Sequence, residues 1–173
     1  MIYLMIEFPY QVVAFLDDTP DIGESAYNSP RGWFAQVALK RRFTLDDTSQ
    51  QQTIETIQQF CDTQNPLTIS VGDVVRPERM PVHVLEVKMS DELINFHNNL
   101  IKALGNNLVS RYPERDGDNY LPHITVEYGG GFVVDTDKYR NKKYSISRVC
   151  LLKDGKGDDS LAYRYFDLGN MNK

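Results

Sequence analysis

Apolar positions recur along the chain at two spacings, every second residue and every third to fourth, and the switches between them divide it into elements. Residues 1–9, MIYLMIEFP, are apolar almost throughout and predict a buried first strand. Tyr10 to Arg31 is poorly patterned and punctuated by Asp, Pro and Gly, with room for a short helix. Trp33 to Phe43, WFAQVALKRRF, alternates as a strand does. Asp46 and Asp47 then supply the acidic start of a helix in which Ile54, Ile57, Phe60 and Cys61 share one face.

A second unit repeats this order. Strands are expected near Leu67–Val71 and Val82–Met89, followed by a helix opened by Ser90 and Asp91, striped by Leu93, Phe96, Leu100, Ile101 and Leu104 and closed by Gly105. After the loop RYPERDGDNY come the strand LPHITVEY, the turn Gly129-Gly130-Gly131 and a short strand. A hairpin then pairs Tyr144–Lys153 with Leu161–Leu168 across the polar turn DGKGDD. Two helices among about eight strands predict an α+β domain over residues 1–173. Its two pseudo-symmetric lobes of antiparallel sheet carry their helices outside and leave a central cleft.

Composition narrows this little. A chain of 173 residues, 41% hydrophobic and 25% charged, is an ordinary globular protein that can bury a core without crosslinks. A formal net charge of -5 argues against wrapping duplex nucleic acid and leaves room for a local basic pocket around one phosphate. Cys61 and Cys150 are too few and too unpatterned for a disulfide framework or a zinc site, so reduced thiols in a cytoplasmic compartment are expected. Glu7 interrupts the opening apolar run, which lacks a basic leader and a cleavage site, and no run approaches the roughly 20 residues of a membrane helix.

The segment with chemistry in it is Pro122-His123-Ile124-Thr125-Val126. On a strand His123 and Thr125 point the same way about 6.6 Å apart, while Ile124 and Val126 pack behind them. An imidazole and a hydroxyl so placed can hold one phosphate. Glu127 shares that face about 13 Å along, too far to grip the same phosphate and better suited to a rim. Tyr120 and Tyr128 flank the motif and either stack on a base or pack into the core. His83, in PVHVLEVKM, and His97, bordering the second helix's stripe, read as packed histidines. The triple glycine lacks the Gly-Lys-Ser/Thr of a phosphate-cradling loop, and DGKGDD lacks the ligand spacing of a calcium loop.

On these residues the chain resembles the 2H phosphoesterase superfamily of 2',5' RNA ligases and cyclic phosphodiesterases, whose members carry two H-x-T/S motifs on facing strands. LPHITVEY resembles the second motif, and QVALKRRF, Gln36 to Phe43, stands where the first would be. Gln36 then takes the place of the histidine and Ala38 that of the hydroxyl residue. The resemblance implies no cofactor and no metal. It implies a small nucleotide or an RNA-end phosphodiester as partner, such as a 2',3'-cyclic phosphate or a 2'-5' linkage, and one histidine as general base with the other as general acid. His123 and Thr125 would be catalytic, and Gln36, Lys40 and Tyr128 would contact substrate. Lys40, on the strand face of Gln36 and Ala38, either reaches a second charge or belongs to a solvated run Lys40-Arg41-Arg42. A glutamine amide donates a hydrogen bond to a phosphate oxygen but carries no proton near neutral pH, and losing one acid/base partner costs on the order of 10²–10⁴ in rate. Three readings follow: a slow monomeric phosphodiesterase, a pseudoenzyme that binds or sequesters a nucleotide without cleaving it, and a protein-interaction domain with a vestigial cleft.

Overall fold

The computed structural model describes residues 8–17, 36–46, 49–77, 83–106, 108–128, 132–133, 137, 139–154 and 160–169, with the backbone alone for 126–128, 132–133, 154 and 160–163. Among these residues ten strands and two α-helices follow, in the order β1 (Tyr10–Phe15), β2 (Gln36–Thr44), α1 (Ser49–Asp62), β3 (Leu67–Val75), β4 (His83–Val87), α2 (Asp91–Leu104) and β5 (Val109–Ser110). Two short 3-10 turns, Pro113–Arg115 and Gly117–Asn119, then lead into β6 (His123–Tyr128), β7 (Phe132–Val133), β8 (Lys143–Ile146), β9 (Arg148–Asp154) and β10 (Ser160–Asp167). Among the described residues no helix is long and apolar enough to cross a membrane.

Two five-stranded sheets result, β10-β9-β1-β2-β5 and β7-β6-β4-β3-β8, with every pairing antiparallel. One hydrophobic core runs through both sheets and both helices. Among the described residues the first strand is Tyr10–Phe15, in the stretch expected to be unpatterned, while the strand expected over residues 1–9 lies almost wholly outside them. The reason is burial on both faces: Val12, Val13 and Ala14 are wholly covered, so YQVVAF shows no alternation. Val13 pairs with Ala38 on one side and Cys150 on the other. The expected strand over Tyr144–Lys153 is divided at Ser147. Its first part, β8, pairs with β3 in the second sheet, and its second part, β9, pairs with β1 in the first.

Both helices bury the expected faces. In α1 these are Ile54, Ile57, Phe60 and Cys61, and in α2 Leu93, Phe96, Leu100 and Leu104, with His97 added and Ile101 only half-buried. Phe60 and Phe96 join the helices edge to face, centroids 5.0 Å apart. Leu100, wholly covered, contributes about 1.5–3 kcal/mol through burial. The Asp46 carboxylate accepts the Ser49 N–H at 2.7 Å where α1 begins. Ser90 Oγ accepts the Leu93 N–H at 3.2 Å, and Gly105, at φ +59°, donates to Ile101 O at 3.1 Å where α2 ends.

The register of β2 matters most for the cleft. Facing β1, it carries two extra residues, one between Ala38 and Lys40 and one between Lys40 and Phe43, because Val13 pairs with Ala38, Val12 with Lys40 and Tyr10 with Phe43. Each insertion reverses the side to which the following residues point.

Candidate functional site

β6 and β4 build one wall of the cleft. Glu86 lies opposite His123 and Val84 opposite Thr125 in register, so these four side chains share a face. His123 is half-buried and lines a cavity of about 840 Å³ together with Val84, Glu86, Met89, Arg41 and Arg115. The imidazole therefore meets an open hollow and is not sealed in the core. Its Nδ1 lies 2.9 Å from the carbonyl oxygen of Leu121, which can only accept, so the neutral ring carries its proton on Nδ1 and keeps its lone pair at Nε2. Burial holds this imidazole below the ordinary histidine range; the Leu121 hydrogen bond opposes that, and the guanidinium groups of Arg41 and Arg115 add to it.

The opposite wall comes from β2, which lies against β6. Its extra residues turn Lys40 inward, where it is 2% exposed and its ammonium is bound by Asp116 at 2.6 Å and Ser110 at 2.7 Å. The expectation that Lys40 shares the face of Gln36 and Ala38 and reaches a ligand is corrected by this register: the ammonium is engaged inside the protein. Arg41 faces the cleft instead, with Nη2 at 3.3 Å from His123 Nδ1 and 3.4 Å from Nε2.

The segment between β5 and β6 carries Arg115 to the cavity and is clamped from three directions. Asp116 holds Lys40. The Gly117 N–H donates to His97 Nε2 at 3.0 Å while His97 Nδ1–H donates to Leu39 O at 2.7 Å, which defines a neutral ring; burial, its largest influence, also keeps it below the usual histidine range. Tyr120 stacks on His97 and donates its hydroxyl to Ala38 O at 3.1 Å. His97 and Tyr120 are thus packing residues that fix the loop to β2.

Gln36, Ala38 and Thr125 are half-buried and stand outside the lining of the cavity around His123. Tyr128 lies on β6 with its side chain outside the described residues, as does that of Glu127. His83, half-buried, pairs with Glu127 in the ladder. Arg41 and Arg115 are the cavity residues that alternation alone did not select; the dense charge of KRRF and of RYPERD was their only trace. Among the described residues no group of three His, Cys, Asp or Glu side chains is gathered that could hold a metal. Cys61 and Cys150 are both buried with no disulfide between them, and burial pushes the Cys61 thiol up to about 12.

No family model matches the sequence, and no curated protein matches it significantly. Solved structures do match. Escherichia coli LigT complexed with 3'-AMP superposes at a TM-score of 0.62 with 14% identity, covering 93% of this chain and 98% of that one. TT0787 of Thermus thermophilus gives 0.63 with 10% identity over 94% and 99%. A structure described as a phosphoesterase gives 0.57 with 13% identity over 93% and 95%. The chain thus has the fold of these solved structures, two α+β lobes about a cleft.

Proposed function

We propose that the chain is a 2H phosphoesterase whose cleft binds a small phosphodiester, a 2',3'-cyclic phosphate or a 2'-5' linked nucleotide or RNA end, and hydrolyses it slowly. The observation that carries this reading is His123 itself, half-buried at a hollow of about 840 Å³ with its Nε2 lone pair left over by Leu121 and two guanidinium groups beside it. Cations and a neutral base converging on one hollow suit a phosphate and an attacking hydroxyl or water. Thr125, on the same strand face, and Gln36, on the facing strand, would contact the parts of the ligand that extend beyond the hollow lined by His123. The 3'-AMP bound to the LigT structure supports a nucleotide ligand in this fold.

Gln36, an amide at the first histidine's position, favours a second reading, a pseudoenzyme that binds the nucleotide without cleaving it. One experiment separates them. Titrate 3'-AMP into the protein by calorimetry, and incubate wild type and His123→Ala with 2',3'-cyclic nucleotides and short 2'-5' oligoadenylates. Binding with slow turnover that falls on the order of 10²–10⁴-fold in His123→Ala supports the enzyme. Binding without turnover selects the pseudoenzyme, and neither binding nor turnover overturns both.

A further inference from the structure

Two facts about the His123 ring define its resting state. Nδ1–H is committed to Leu121 O, and the Arg41 guanidinium lies almost equidistant from both ring nitrogens. An imidazolium at this position would carry a positive charge 3.3 to 3.4 Å from another. Among the described residues the remaining charged neighbours do not cancel it. Arg115, from the 3-10 turn, adds to the repulsion. Lys88 lines the same hollow and has the same sign. Glu86 stands opposite on β4, but its carboxylate lies over Gly72 of β3, with Oε2 3.3 Å from where a Cβ on that glycine would be. Since β4 separates β3 from β6, that carboxylate leans away from the ring.

Resting on the reading of the cleft above, we propose that Arg41 is a catalytic cation that works beside His123 where the other motif's histidine is replaced by Gln36. It keeps His123 Nε2 free of a proton when the cleft is empty, and it transfers to the nonbridging phosphoryl oxygens when a phosphodiester enters. The reaction then runs with one base and one fixed cation. His123 Nε2 takes a proton from water as the water oxygen bonds to phosphorus. The bond from phosphorus to one ribose oxygen of the cyclic phosphate breaks, its electron pair leaves on that oxygen, and the oxygen collects a proton from solvent. His123 returns its own proton to solvent, and the product is a phosphomonoester. With no second histidine among the described residues that line the hollow, the departing oxygen is protonated by solvent and the rate depends on how readily it leaves. The substrate class is accordingly narrowed to strained five-membered cyclic phosphates, with aryl phosphodiesters as surrogates, and unstrained 2'-5' linkages are poor substrates.

The test follows the His123 ring by NMR titration in wild type, Arg41→Gln and Arg41→Lys, with and without 3'-AMP. It also records pH profiles for hydrolysis of 2',3'-cyclic AMP and bis(4-nitrophenyl) phosphate. Removing the guanidinium relieves the repulsion, so the His123 midpoint and the acid limb of the rate both move to higher pH in Arg41→Gln. Arg41→Lys, which keeps the charge, holds both near wild type. The plateau rate falls on the order of 10²–10³-fold in Arg41→Gln. In wild type, 3'-AMP raises the His123 midpoint, because an anion replaces a cation at the ring. A His123 midpoint unmoved in Arg41→Gln overturns the inference whether or not the chain turns over. So does 3'-AMP binding that leaves the wild-type midpoint in place. Binding with the expected shifts but no cleavage of the aryl ester, which needs no acid, overturns the one-base reaction. A wild type that neither binds 3'-AMP nor cleaves any ester overturns the underlying reading of the cleft, while the titration still reports on Arg41.

Discussion

His97 lies face to face with Tyr120, ring centroids 3.8 Å apart and planes 2° from parallel, and through this pair α2 holds the strand and the loop that form two sides of the cleft. The imidazole does what a phenyl ring of similar shape cannot: it satisfies a buried carbonyl and a backbone N–H at once. In His97→Phe the stack survives, but Leu39 O and the Gly117 N–H lose their partner. The expected cost is about 2–3 kcal/mol, a fall in Tm of roughly 5–10 °C for a chain this size. Calorimetry at two pH values adds a sign. The folded His97 ring binds its proton less readily than the ordinary imidazole of 6.5, so the unfolded chain takes up more protons as the medium is acidified. The stability this confers is complete above that ordinary value and declines as pH falls through it towards the folded value. His97→Phe should therefore show a shallower acid decline than wild type. A slope as steep as wild type would remove His97 from the account.

Lys40 and Asp116 offer an asymmetric comparison. Asp116→Ala strands an ammonium that is 2% exposed with only Ser110 beside it, at an expected cost of about 3–5 kcal/mol. Lys40→Met leaves a carboxylate at 18% exposure that water can still reach, and the cost should be smaller, on the order of 1–3 kcal/mol. Urea unfolding of both variants, with m-values compared, decides the order. Equal losses would mean that the pair is no more buried at one end than at the other.

What the sequence reveals of this molecule depends on whether alternation survives in the native contacts. The stripes of α1 and α2, and the stops of α2 at Ser90 and Gly105, are legible because a helix face repeats over four turns. His123 and Thr125 are legible because β6 pairs without interruption next to β4 at those residues. Alternation puts Lys40 and Arg41 on the wrong sides because the two extra residues of β2 depend on what β1 offers across the ladder, a nonlocal fact that KRRF does not encode. β1 itself escapes for the opposite reason, since a strand covered on both faces has no polar beat to read.

Gly105 gives the simplest backbone test. Nothing lies within 4 Å of a Cβ added there, so Gly105→Ala meets no clash and reports the left-handed backbone alone, φ +59° with ψ -146°. An alanine at these angles is expected to cost about 1–3 kcal/mol in thermal or chemical unfolding. A loss under a few tenths of that would show that α2 ends differently in solution.

The pairing of Val13 with Ala38 on one side and Cys150 on the other has a consequence for how the chain is made. During synthesis β1 soon finds β2, but its other edge stays bare until β9, Arg148–Asp154, has left the ribosome. Completion of that sheet is a late, long-range closure, the kind of contact that slows folding and exposes an apolar strand meanwhile. The sheet that β1 begins is thus closed only after the strands of the other sheet have been made.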